Sequence, residues 1–267
     1  MPDTYICEII ENVRLTDKSM ADKGFAAYSA TVKCGRMASE ARAGQFVHVK
    51  CGEGALLRRP FGICKVRGDE LTFVFELKGE GTLWLSGCRP GESLDILGPL
   101  GNGYDIPEGR IIVAGGGLGT PPLLFAAESA KSDATAVLGY RESGMVIMAS
   151  EFEEACDKVY LTTDDGSLGI HGLVTKPLEE LLKNGGYRAV LSCGPTAMQL
   201  AVAKLCEKYD MPCQASLEGR MGCGVGACLV CACATRKNGK DQMSRVCKDG
   251  PVFNAAELVW QESNDER

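Results

Sequence analysis

The first hundred residues alternate on a short period. "YICEIIENVRLT", "FAAYSATVKC", "GQFVHVKC", "FGICKVRG" and "DELTFVFELKG" are apolar or alternating runs cut by Gly, Asp and Glu. Such runs with turn residues between them predict the strands of a small antiparallel barrel or sandwich. "WLSGCRPGESLDILGPLG" adds turn chemistry at Arg89-Pro90-Gly91 and again at Gly98-Pro99. Near residue 107 the pattern changes. "RIIVAGGGLGTPPLLFAAESA" reads as a buried strand, a glycine loop, and a helix with two prolines in its first turn. "ATAVLGYRE", "VYLTTDDGS" and "YRAVLSCGP" then read as strands, while "EFEEACDK", "GLVTKPLEELLKNG" and "TAMQLAVAKLCEKY" read as helices. Strands alternating with helices predict a doubly wound parallel sheet. From Gln214 that rhythm gives way to a cysteine–glycine segment, and "ESNDER" closes the chain as a solvated tail. The expected organisation is an antiparallel β-barrel over 1–104, a nucleotide-binding α/β domain over 105–213 and a small cysteine-rich subdomain over 214–267.

Composition sets limits on function. With 267 residues, 45% of them hydrophobic, the chain can bury a substantial core. A net charge of −6 and scattered Lys and Arg argue against nucleic acid as a partner. "MPDTYICEII" lacks the basic flank and apolar run of a signal peptide, and no window reaches the roughly 18 apolar residues of a membrane span. A cytoplasmic location is therefore expected, and there 14 cysteines point to metal binding, catalysis or burial rather than disulfides. Cys7, Cys34, Cys51, Cys64, Cys88, Cys156 and Cys206 sit singly in apolar surroundings and read as small buried hydrophobes.

The C-terminal cysteines differ. Cys223, Cys228 and Cys231 follow a C-x4-C-x2-C spacing, with Cys247 16 residues further on. That is the plant-type ferredoxin spacing of thiolates around a [2Fe–2S] cluster. Gly222, Gly224 and Gly226 leave backbone N–H groups free to approach sulfur. Structural zinc is the alternative, but it usually takes two C-x2–4-C knuckles, and Cys247 has no cysteine nearby in sequence. Cys233 is a rival ligand in principle; two residues from Cys231 on a strand, it reads as a buried non-ligand.

Two further constellations concern anions. Gly115-Gly116-Gly117-Leu118-Gly119-Thr120 joins a strand to a helix, an arrangement that offers N–H groups to phosphate. A glycine turn also serves simply to pack a helix on a sheet, and this one does not fit G-x-G-x-x-G. It gains weight because Cys193-Gly194-Pro195 ends a later strand, so a ligand across the carboxyl ends would meet both loops. Gly115, Gly117, Gly119, Thr120, Cys193, Gly194 and Pro195 are thus the candidate contacts of a phosphate-bearing ligand, which the resemblance described below implies is NAD. "LLRRPFGIC" and "LKGEGTLWLSG" could cradle a diphosphate, although arginine before a turn is by itself commonplace.

Taken in order, these pieces resemble the ferredoxin–NADP reductase superfamily. The segments "RRPFGI", "GEGT", "GPLGNGY", "GGGLGTPPLLF", "TDDGSLGIHGLV", "CGPTAM" and "SLEGRMGCGVGACLVCAC…SRVCKDGPVF" are similar to one branch. That branch comprises the electron-transfer subunits of NAD-dependent (type 1B) dihydroorotate dehydrogenases. The resemblance implies that FAD meets Arg59, Pro60, Phe61 and Gly62, then Val74, Phe75 and Glu76, with its diphosphate at Gly81 and Thr82. It also implies that Cys223, Cys228, Cys231 and Cys247 ligate the [2Fe–2S] cluster. Gly62 stands where the family usually carries Ser, and Glu76 where a basic residue can occur. By the same resemblance, the partner is an FMN-containing catalytic subunit that oxidises dihydroorotate in pyrimidine biosynthesis, two copies of each chain assembling. Electrons would pass through the cluster and FAD to NAD+, a diffusible co-substrate. The barrel, sheet and cysteine segment use up the chain, so substrate chemistry belongs to the partner. The alternatives are a reductase subunit serving a ferredoxin, an oxygenase or a bifurcating complex, and a zinc-stabilised nucleotide-sensing module.

Overall fold

The alternating pattern of the N-terminal region closes a six-stranded antiparallel barrel. The computed structural model describes residues 3–54, 56–131 and 133–260. The barrel strands are β1 (Asp3–Arg14), β2 (Ala27–Lys33), β3 (Phe46–Val49), β4 (Arg59–Arg67), β5 (Glu70–Glu76) and β6 (Ser93–Leu100), in the order β1-β2-β5-β4-β3-β6. Every second side chain turns inward. Cys7, Ile9, Val32, Ile63, Leu71, Phe73, Phe75 and Ile96 fill the interior. Three short helices interrupt the strands: α1 (Lys18–Asp22), α2 (Gly35–Glu40) and α3 (Glu80–Gly87). None was expected, because segments this short complete too few turns to display a 3.6-residue period.

The second half forms the parallel sheet. Its strands are β7 (Ile111–Gly116), β8 (Ala134–Tyr140), β9 (Lys158–Thr163), β10 (Ile170–His171), β11 (Ala189–Cys193) and β12 (Cys213–Ser216). The helices α4 (Thr120–Ser129), α5 (Ala149–Ala155), α6 (Thr175–Asn184) and α7 (Thr196–Lys208) connect them. β7 is buried along its whole length, which explains its unbroken apolar run.

After Ser216 the chain leaves the sheet, forms the cysteine loop and the hairpin β13 (Ala232–Lys237) and β14 (Lys240–Arg245), and returns as β15 (Val252–Asn254). The order β10-β9-β8-β7-β11-β12-β15 ends with β15 antiparallel to β12. The excursion also packs on the barrel, since Cys231, Val246 and Cys247 share a small core with Phe46 and Leu100. Among the described residues no helix is long and apolar enough to cross a membrane. "ESNDER" lies outside the described residues.

Candidate functional site

Where barrel, sheet and cysteine segment meet, they enclose a cavity of about 500 Å³. All nine residues expected to meet FAD line it: Arg59, Pro60, Phe61 and Gly62 on β4, Val74, Phe75 and Glu76 on β5, and Gly81 and Thr82 on α3. Phe61 stacks on Phe73 at 5.1 Å between ring centroids and lies 5.7 Å from Phe75. These rings make the barrel side of the cavity rigid and apolar.

Its other end is built for negative charge. The adjacent arginines divide the work. Arg58 Nη2 donates to both carboxylate oxygens of Asp95, at 2.8 and 2.9 Å, and its Nη1 donates to the Asp95 carbonyl at 2.8 Å. Arg58 thus ties the segment leading into β4 to β6. Among the described residues Arg59 has no carboxylate partner, and it lines the cavity with Nη1 donating to the Leu57 carbonyl at 2.7 Å and the Arg58 carbonyl at 3.4 Å. The start of α3 contributes free N–H groups to the same place. Thr82 Oγ1 accepts from the N–H groups of Lys78 and Gly79, at 2.9 and 3.3 Å, and so fixes this turn. A Cβ on Gly81 would lie 3.3 Å from Arg59 Nε, so a bare residue keeps backbone and guanidinium together. An apolar slot ending in a helix start and a cation fits a flavin nucleotide.

The two departures from the family pattern sit in defined contacts. A Cβ on Gly62 would stand 2.6 Å from Cγ of Pro122 on α4, so glycine here lets barrel and helix close together. Glu76 pairs with Lys78 at 3.0 Å, and this lysine, not singled out from sequence, lines the cavity beside it.

The candidate NAD residues also converge. Gly115 on β7 and Cys193 on β11 are register partners at the carboxyl ends of adjacent parallel strands. A Cβ on Gly119 would fall 2.4 Å from the Gly194 backbone, so the two loops touch. Thr120 is fully buried with its hydroxyl unpartnered, and Pro195 immediately precedes α7. Cys193 lines the cavity directly. β7 is flanked by β8 on one side and β11 on the other, the switch point at which such sheets bind dinucleotides.

The four cysteines fall into two pairs. The Cys223 thiol lies beside that of Cys228, and the Cys231 thiol beside that of Cys247. Backbone N–H groups point at sulfur: Ala227 and Cys228 donate to Cys223 Sγ at 3.2 and 3.4 Å, and Cys247 donates to Cys231 Sγ at 3.4 Å. Gly224 and Gly226 adopt φ of +73° and +83°, which turns those groups inward. Burial would raise the Cys223 thiol, but N–H groups of Val225, Cys228 and Ala227 and the Cys228 thiol outweigh it and lower it to about 6. Burial, then the Cys231 thiol, push Cys247 up to about 12. Two thiol pairs with N–H donors suit a two-iron, two-sulfide centre. Arg245 braces the loop by pairing with Asp249 at 2.8 Å and donating to the Gly226 carbonyl at 3.2 Å. Cys233 is half-buried on β13 and belongs to neither pair.

The thiols and the cavity share a wall. Glu218, Gly219 and Met221 line the cavity, and a Cβ on Gly219 would stand 3.8 Å from Cys231 Cβ. A single thickness of backbone separates the two sites there.

A family model for the iron-sulfur cluster binding domain of dihydroorotate dehydrogenase B matches residues 218–259. The dihydroorotate dehydrogenase B (NAD(+)) electron transfer subunit of Caldanaerobacter subterraneus subsp. tengcongensis is 39% identical over 219 residues, covering 81% of this chain and 87% of that one. Its counterpart from Bacillus pumilus is 40% identical over 244 residues, covering 87% and 92%. This chain belongs to that family of electron-transfer subunits. Among solved structures, the NADH-dependent reduced ferredoxin-NADP oxidoreductase studied for flavin-based electron bifurcation superposes with a TM-score of 0.83 at 29% identity, covering 97% of this chain and 92% of that one. A ferredoxin NADP+ reductase from Neisseria gonorrhoeae with bound FAD and NADP shares the fold alone, at 15% identity and a TM-score of 0.58 over 77% of this chain.

In this member of the dihydroorotate dehydrogenase B subunits, the cavity also uses residues that sequence reasoning passed over. Lys78, Leu118, Pro122 and Leu217 line it, and His48 lies buried behind the cysteine loop. Burial, then the charge of Arg58, lower the His48 imidazole to about 4.

Proposed function

We propose that this chain relays electrons between an FMN-containing dihydroorotate dehydrogenase subunit and NAD+ in the cytoplasm, the two chains assembling in equal numbers. The observation that carries the reading is the shared wall at Gly219, where the cavity and Cys231 come together. FAD and a [2Fe–2S] cluster, when bound, supply the exchange between paired and single electrons that joins a nicotinamide to a distant flavin.

The chain's own residues do the holding. Arg59 and the start of α3 take the diphosphate of FAD, and the Phe61 side of the cavity takes its ring. The loops at Gly115–Thr120 and Cys193–Pro195 take NAD and bring its nicotinamide toward Cys193, at the cavity's edge. Cys223, Cys228, Cys231 and Cys247 take the cluster, with backbone N–H groups donating to sulfur. Around it, Cys228 and Leu229 are exposed, as are Val225 and Val230, so the cluster lies beneath a face free for a partner. A domain division at 104 and 213 matches these roles.

The experiment is purification with the FMN subunit, followed by an assay of NAD+ reduction driven by dihydroorotate. The complex should reduce NAD+ while either chain alone should not. The likeness to the bifurcating oxidoreductase favours a second reading, in which the partner exchanges electrons with NADPH and ferredoxin. Activity with those donors, and none with dihydroorotate, would select it.

A further inference from the structure

His48 lies on β3 with its side chain fully buried; among the described residues neither ring nitrogen has a hydrogen-bond partner at full bonding geometry, and the nearest polar groups are the backbones of Arg58 and Cys223. Its neighbours across the sheet, Pro60 on β4 and Leu97 on β6, place no polar side chain beside it. Leaving such a group unpaired is costly, so a partner is called for. The ring faces the cysteine loop. A Cβ on Gly224, the residue after Cys223, would stand 2.6 Å from Nδ1 and 3.3 Å from Cε1 of His48. The bare glycine therefore admits the imidazole edge to the loop. Phe46, two residues before His48 on the same strand, lines the flavin cavity. One short strand thus touches both cofactor sites.

We infer that His48 is a positioning residue of the iron–sulfur centre, its ring N–H donated toward sulfur at the Cys223 end of the loop. An imidazole carries at least one N–H in either protonation state, so the role does not require it to titrate. Hydrogen bonds to cluster sulfur favour the reduced centre. The inference rests on the cluster reading given above.

The test is an anaerobic redox titration of the reconstituted full chain at fixed pH, followed by EPR, with iron, sulfide and FAD counted. His48→Leu should retain the centre and FAD but shift cluster reduction at least tenfold toward the oxidised form, about 59 mV for one electron. His48→Asn, whose amide nitrogen takes the place of Nδ1, should recover the wild-type potential and EPR signal. The FAD potential should stay put in both. A wild-type chain with the centre and an unmoved His48→Leu potential overturns this inference alone. Should His48→Leu lose the centre, His48→Asn decides: wild-type potential supports the role and a lowered one overturns it. A wild-type chain without iron and sulfide overturns the underlying reading, and this one with it.

Discussion

Replacing Gly62 by the family's Ser should destabilise this chain, for a reason located at one contact. The new Cβ would lie 2.6 Å from Cγ and 3.0 Å from Cβ of Pro122. Relaxed carbon contacts fall at about 3.5–4.0 Å, so the overlap is about 1 Å. Pro122 cannot rotate away, because its ring is closed onto the backbone in the first turn of α4. Helix and barrel must part instead. Overpacking of this kind costs about 1–3 kcal/mol, and near this chain length each kcal/mol lowers Tm by about 2–4 °C. A loss of about 2–12 °C is expected in the cofactor-free chain, measured by circular dichroism at one scan rate. FAD content should fall as well, since Gly62 lines the cavity. A double-mutant cycle isolates the contact: Gly62→Ser in a Pro122→Ala background should recover at least about 1 kcal/mol of the loss. An unchanged Tm in Gly62→Ser, or an equal loss in both backgrounds, would refute the packing argument.

The two arginines should separate in their effects. Arg59→Ala should weaken FAD binding by about tenfold to a hundredfold, the worth of one charge-assisted contact, with little change in Tm. Arg58→Ala should lower stability by about 1–3 kcal/mol through the stranded Asp95; dialysis with flavin counting and thermal scans would expose a reversed pattern. Cys228→Ser should abolish the cluster yet leave NADH-driven reduction of artificial dyes largely intact, and loss of dye reduction with FAD still bound would contradict the assigned order of carriers. In the cluster-free chain, Cys223 is held below its ordinary range, so its thiolate is present above about pH 6 and lost as pH falls through that value. Alkylation mapped by mass spectrometry should therefore begin at Cys223 near pH 6, with Cys247 still unreactive; simultaneous onset would remove the proposed N–H stabilisation.

Much of this was legible in order along the chain. Alternation marked five of the six barrel strands, β6 being hidden in a segment that reads as turns, and the apolar run at Ile111–Gly116 marked a strand buried on both faces. Where chain order and space diverge, legibility stopped. Nothing local in "VFN" announces that Val252–Asn254 returns to the sheet beside β12, because that pairing spans the whole cysteine excursion. Leu217 and Gly219 become cavity wall only through that same return. Spacing named the four cysteines, but their division into Cys223–Cys228 and Cys231–Cys247 depends on a fold that brings residue 247 back to 231. His48 drew no attention within "GQFVHVKC", since only the folded chain sets it against Gly224. Gly62 and Glu76 looked like losses; Pro122 and Lys78, distant or unremarked in sequence, are what they meet.

The whole account turns on what the paired thiols hold. Anaerobic purification followed by metal, acid-labile sulfide and low-temperature EPR measurements addresses that directly. Two irons, two sulfides and a one-electron EPR signal on reduction are expected per chain. One zinc per chain, with no sulfide and no signal, would contradict it.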